Sequence, residues 1–259
     1  MGHVRLGTLP RTRPWQQVVA LVGANAPVNE VAAATASAAK AALAAAPNDA
    51  AFVRAFWLLT QLPLAARSAS YLAALRGLGL AVETAPTLIG LGSGIADAVD
   101  LHVAAAGGAS DIGEMAQAAA VESLTAMVGR DLPELFGTTP DDVQLGLGRF
   151  AGRDRFAALT RDFFSRLLRR HFDYYLSREL PAHVGADRRF ASVAAHAEFD
   201  RALELHCRET TRIVEAFAGG WYSKANFEGG ITPAKASRFI RIALNKIDAE
   251  LRKREQTRA

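Results

Sequence analysis

One cysteine, Cys207, stands in 259 residues, so no intramolecular disulfide can form and no cysteine cluster can hold zinc. A chain of this length buries enough apolar surface to need neither staple. The start lacks a basic, apolar, small-residue leader, and Leu6 stands where an N-myristoylation signal carries Ser or Thr, so the chain is expected in a reducing cytoplasm. Long hydrophobic runs are missing too. The longest apolar windows, Ala55 to Ala66 and Thr84 to Ala96, are bounded by Arg54, Arg67, Glu83 and Asp97 and fall short of the roughly 20 residues that span a bilayer; a membrane is not an expected partner. The familiar catalytic vocabularies are absent: there is no Gly-x-Ser-x-Gly elbow, His-Glu-x-x-His, EF-hand loop or kinase signature. Gly90-Leu91-Gly92-Ser93-Gly94 lacks the Gly-Lys-Ser/Thr of a phosphate loop and reads as close helix packing. No cofactor is expected.

What is present is lopsided. Residues 1–130 hold 16 charged side chains, 8 basic and 8 acidic, and residues 131–259 hold 40, 22 basic and 18 acidic, so the net charge of +4 comes entirely from the second part. We divide the chain into an Ala-rich helical packing region (1–130) and a charged long-helix bundle (131–259), continuous with each other as one domain. Heavy alanine use and a preference for Arg over Lys point to a GC-rich bacterial genome. The charge is modest for this length, so a pI near 9.5 admits a nucleic-acid partner without requiring one.

The punctuation is helical almost throughout: cap candidates, then apolar residues at a period near 3.6, then Gly or Pro. It sets out short helices over Trp15 to Val22, Pro27 to Ala45, Phe52 to Leu62 with Pro63 as its stop, Tyr71 to Leu75, Pro86 to about Ala105, Met115 to Val128 and Val143 to Phe150. Three long helices should follow, over Arg155 to Leu180, Ser192 to Ala218 and Pro233 to Glu255. His3 to Leu9 could be extended. The expected fold is all-α, a multi-helix bundle of about ten helices.

Candidate sites are few. Gly219 to Gly230 brackets Trp221, Tyr222, Lys224, Asn226 and Phe227 between glycine pairs, which predicts a shaped loop able to stack on a partner; its structural counterpart is a helix cap with Trp221 in the core. Arg166, Arg169, Arg170 and His171 lie within two turns of one helix, and Arg161 and Arg178 extend the charged face, so a phosphate-binding stripe is geometrically possible; Asp162 and Asp173 at four-residue spacing make a salt-bridged face the default reading. Arg188, Arg189 and the run Arg252-Lys253-Arg254 are further basic candidates. His196, Asp200 and Glu204 could share a helix face as metal ligands, but nothing corroborates the spacing and no metal is expected. His206 falls on the apolar stripe of its helix and should face inward.

Two Arg-x4-His spacings, Arg166 to His171 and Arg201 to His206, with the looser pair Arg189 to His196, resemble the motif of the helical HEPN ribonucleases. In that family an Arg and a His on one helix bind the scissile phosphate and move a proton, and a polar residue follows the Arg. Leu167, Ala202 and Phe190 follow it here, and the chain is not assigned to that family. The leading expectation is a non-catalytic binding or scaffold subunit of a bacterial macromolecular complex, with a protein partner or a second copy of itself. The second is a metal-independent ribonuclease or other nucleic-acid-processing component of toxin or antiphage type, with Arg166, His171, Arg201 and His206 near the phosphate.

Overall fold

The computed structural model describes residues 12–106, 108–133 and 137–256. The segment His3 to Leu9 lies outside them. Every regular element among the described residues is a helix, and the one β feature is an isolated bridge between Val184 and Phe190. In order come α1 (Arg13–Gly23), α2 (Val28–Ala38), α3 (Lys40–Ala45), α4 (Ala50–Ala66), α5 (Tyr71–Gly77), α6 (Leu88–Ala106), α7 (Asp111–Gly129), α8 (Pro140–Arg149), α9 (Arg153–Leu176), α10 (Val193–Thr210), α11 (Arg212–Phe227) and α12 (Pro233–Gln256).

α4 lies at the centre and touches α5, α6, α7, α8 and α12. Most of its surface is buried, with Phe52, Phe56, Leu58, Leu59 and Leu62 shut off from water, and one strip carrying Arg54, Trp57 and Gln61 stays partly exposed, as the periodicity of an amphipathic helix requires. Asp49 caps it, accepting from the Phe52 amide at 2.8 Å. The same carboxylate accepts the hydroxyl of Ser110, the cap of α7, so the two helix starts are tied together. Gly113 makes the approach possible: a Cβ there would lie 2.6 Å from that of Ala51.

Pro63 does not end α4, which runs on to Ala66. A proline inside a helix forfeits one hydrogen bond, and burial of Pro63, Ala65 and Ala66 in the core offsets that loss. The far end is held reciprocally with α8: Gln144 donates to the Ala66 carbonyl at 3.0 Å and Arg67 to that of Gly148 at 2.7 Å.

Two further boundaries differ from the sequence reading. The span Ser192 to Ala218 is two helices, divided at Thr211, whose hydroxyl donates back to the Cys207 carbonyl at 2.9 Å; such back-bonding bends helices. Gly219 and Gly220 stop nothing, because α11 passes through them to Phe227. Gly219 instead lets α11 rest on the first turn of α9, where a Cβ would meet the Arg153 carbonyl oxygen at 2.7 Å. The turn falls at the second pair, Gly229 and Gly230, both at φ 90°.

An aromatic cluster joins α4, α9, α11 and α12. Phe56 stacks on Phe239 with centroids 5.2 Å apart, Phe163 and Phe164 meet edge to face at 5.0 Å, and Tyr222 stacks on Phe156 at 3.7 Å. One apolar core extends from Trp15 in α1 to Leu251 in α12. Among the described residues α6 alone is long and apolar enough to cross a membrane by length and composition. It seats Leu91, Ile95, Ala98 and Val99 in the core and turns Asp97 and Asp100 to solvent.

Candidate functional site

The face of α9 opposite the aromatic cluster carries Asp162, Ser165, Arg166, Arg169, Arg170 and Asp173, at offsets of 0, 3, 4, 7, 8 and 11 along the helix. That spacing gathers them into one stripe. The apolar positions Phe156, Leu159, Phe163, Leu167 and Phe172 fill the inward face. α7 and α10 flank the stripe and turn it into the floor of a groove.

Two concavities form that groove. One, of about 340 Å³, is walled by Glu122 from α7, the α9 stripe, and Glu204 and Arg208 from α10. The other, of about 290 Å³, shares Asp162, Ser165 and Arg208 with it and adds Met127, Arg130, Arg161, Leu205, Glu209 and Glu215. Together they present six arginines (130, 161, 166, 169, 170, 208) and six carboxylates (122, 162, 173, 204, 209, 215). The groove is dense in charge and balanced in sign.

Most of these charges are matched. Arg166 bonds Asp162 at 2.6 Å and lies 3.5 Å from Glu122, which also receives Arg170. Arg169 reaches Asp173 at 3.0 Å and Asp200 at 3.3 Å. Arg161 meets Glu215 at 2.9 Å and donates to the Arg208 carbonyl at 3.1 Å. Burial pushes the Asp173 carboxyl above its ordinary range, and Arg169 opposes the shift. Partly exposed pairs of this kind contribute at most about 1 kcal/mol each to stability.

Not every donor is matched. Nη1 of Arg169 and Nε of Arg170 are closed off from solvent with no acceptor among the described residues. Ser165 is 6% exposed, lies on the floor shared by both concavities, and forms no hydrogen bond through its hydroxyl among the described residues. On α10, Arg208 and Glu204 form no ion pair among the described residues.

The other candidates from the sequence are dispersed. His171 faces the core, not the groove: it is 2% exposed, and neither ring nitrogen has a hydrogen-bond partner among the described residues. It packs edge-on against Tyr175 at 5.3 Å in surroundings of Phe164, Leu168, Ile247 and Leu251. Burial drives its pKa down to about 4. Five helical residues separate it from Arg166, which turns the two about 140° apart, so the pair cannot grip one phosphate. Arg201 is exposed on α10, and His206, half-buried and not fully inward as expected, lines a different cavity of about 610 Å³ with Val28, Ala202, Leu205 and Lys253.

Arg189 is a structural clamp. Its guanidinium donates to the carbonyls of Val22 at 2.9 Å and Ala26 at 2.5 Å, at the end of α1, and lies over the ring of Phe199. Arg188 is exposed and donates to the Ala182 carbonyl. Arg252 and Arg254 belong to an ordered helix, paired with Asp248 and Glu250 one turn back. His196 packs against Phe190 and lies 3.7 Å from Asp200, which Arg169 also engages, while Glu204 lines the groove. No group of three or more His, Cys, Asp or Glu side chains among the described residues could hold a metal.

The stretch expected as an aromatic loop is helical as far as Phe227, and two of its three aromatics turn inward. Trp221 lies 4.2 Å from Phe239, and Tyr222 is buried with its hydroxyl donating to the Thr60 carbonyl at 3.1 Å. Asn226 is half-buried on the same helix. Lys224, within 3.8 Å of Glu228, and Phe227, 93% exposed, present themselves to solvent together with Ser223 and Glu228. The groove was not singled out from the sequence because Glu122, Glu204 and Arg208 come from helices whose placement no local pattern announces. Comparison of the chain with protein-family profiles, curated proteins and solved structures finds no match.

Proposed function

We propose that this chain is a non-catalytic helical binding or scaffold protein that docks a protein partner in the groove between α7, α9 and α10. The observation that carries the reading is the groove's balance of six guanidinium groups against six carboxylates within one concave surface. A polyanion laid there would meet as many repelling groups as attracting ones, and nucleic-acid affinity rests on net phosphate neutralisation. A protein surface of mixed charge can complement both signs, which confers specificity and orientation more than raw affinity. Leu205, 60% exposed where the groove meets the cavity of about 610 Å³, adds an apolar contact beside the charges. We set this role in the cytoplasm of a bacterium on composition alone.

Photo-cross-linking tests the reading. A photoreactive residue at Leu205 should give a protein adduct in the native host, while the same residue at Leu145 or Ile242, exposed on α8 and α12, should not. The adduct's mass tells a second copy of this chain from a different polypeptide. Equal labelling at all three positions, no adduct at 205, or an adduct dissolved by nuclease would each overturn the proposal.

A further inference from the structure

We infer that the concavity of about 340 Å³ between α7, α9 and α10 is a subsite for a single oxyanion, held by Ser165, Arg169, Arg170 and Arg208. The inference rests on the groove reading above and names the chemistry that the groove takes. Its argument is the donor surplus left after every ion pair has been counted. Glu122 is engaged by Arg166 and Arg170, Asp162 by Arg166, and Asp173 and Asp200 by Arg169.

What remains is the Arg208 guanidinium, Nη1 of Arg169, Nε of Arg170 and the Ser165 hydroxyl, against one unclaimed carboxylate, Glu204. Guanidinium nitrogens shut off from water without an acceptor are costly, and a charged oxygen is the partner that offsets most. Arg169 and Arg170 line the concavity together with Ser165 and keep 22% and 35% of their side chains exposed. The buried serine supplies a further donor. A carboxylate and a phosphate share this chemistry. The source is either a free small anion or an acidic side chain on the docked partner.

Calorimetric titration of the full chain with inorganic phosphate, acetate and a pentaglutamate peptide, each against sodium chloride at matched ionic strength, tests the site. At least one of these probes should bind saturably, and Ser165→Ala combined with Arg208→Gln should weaken it about tenfold. Arg149→Gln, at an exposed arginine paired with Asp131 outside the groove, should leave binding unchanged. Circular dichroism of the double variant confirms that the helices persist. Saturation by phosphate or acetate marks a free anion as the source, and saturation by the peptide alone marks the partner's acidic side chain.

No saturable binding by any probe, or equal binding in wild type and double variant, would overturn the inference. The two proposals fail separately. Adducts at position 205 without oxyanion binding remove the subsite and keep the docking groove, whereas oxyanion binding without adducts does the reverse.

Discussion

His171 shows how one side chain can set a whole protein's response to acid. It is neutral in the folded state, where burial holds its pKa at about 4, and it protonates near 6.5 once unfolded. Between those values the unfolded chain binds the extra proton, so stability falls as pH drops from about 6.5 toward 4 and levels off below. At pH 5 the expected loss is about 2 kcal/mol relative to neutral pH. Urea unfolding at pH 7 and pH 5 measures it, and His171→Leu should cancel most of the difference while raising stability at pH 7 by about 1 kcal/mol, because two unsatisfied ring nitrogens are replaced by hydrocarbon. An equal acid response in the variant would show that other groups carry it. Position 171 was legible as inward: it stands three, four and seven residues after Leu168, Leu167 and Phe164, all on the buried face. The spacing to Arg166 suggested a catalytic pair instead, although five residues of helix carry side chains to different faces.

At the scale of the element, the two glycines inside α11 look alike in sequence and do different work. A Cβ at Gly219 would collide with the Arg153 carbonyl, whereas one at Gly220 would have nothing within 4 Å. Gly219→Ala should therefore lower stability by about 1–3 kcal/mol through overpacking against α9. Gly220→Ala should raise it by roughly 0.5–1 kcal/mol through helix propensity. Chemical denaturation of the two variants checks the opposite signs, and a like effect at both would contradict the close crossing of α9 and α11. Helix starts carry a local signal: Asp49, Ser110, Thr139, Ser192 and Thr232 are all residue types that favour the cap position, and each accepts from the amide of the third residue beyond it. Stops were read less well, since Pro63 and Gly219 are overridden by burial and by a neighbouring helix, influences that no local window contains.

For the whole molecule, the continuous core predicts that chemistry at the lone thiol follows global opening. Cys207 is fully buried, and burial raises its pKa far above the ordinary thiol range. A thiol reagent should label it no faster than the protein unfolds, with the labelling rate rising in parallel with the unfolding rate as urea is added. Fast labelling of the native state would mean that α10 opens alone. The all-α class followed from periodicity and caps. The groove did not, because its balance of charge comes from four helices spread over more than ninety residues, from Glu122 to Glu215.

The clamp by Arg189 carries a consequence for synthesis. The carbonyls at the close of α1 are met by a guanidinium that lies 163 to 168 residues further along the chain. On a ribosome the first described helix to emerge must therefore wait for most of the polypeptide before its end is sealed. A helix made early is completed late.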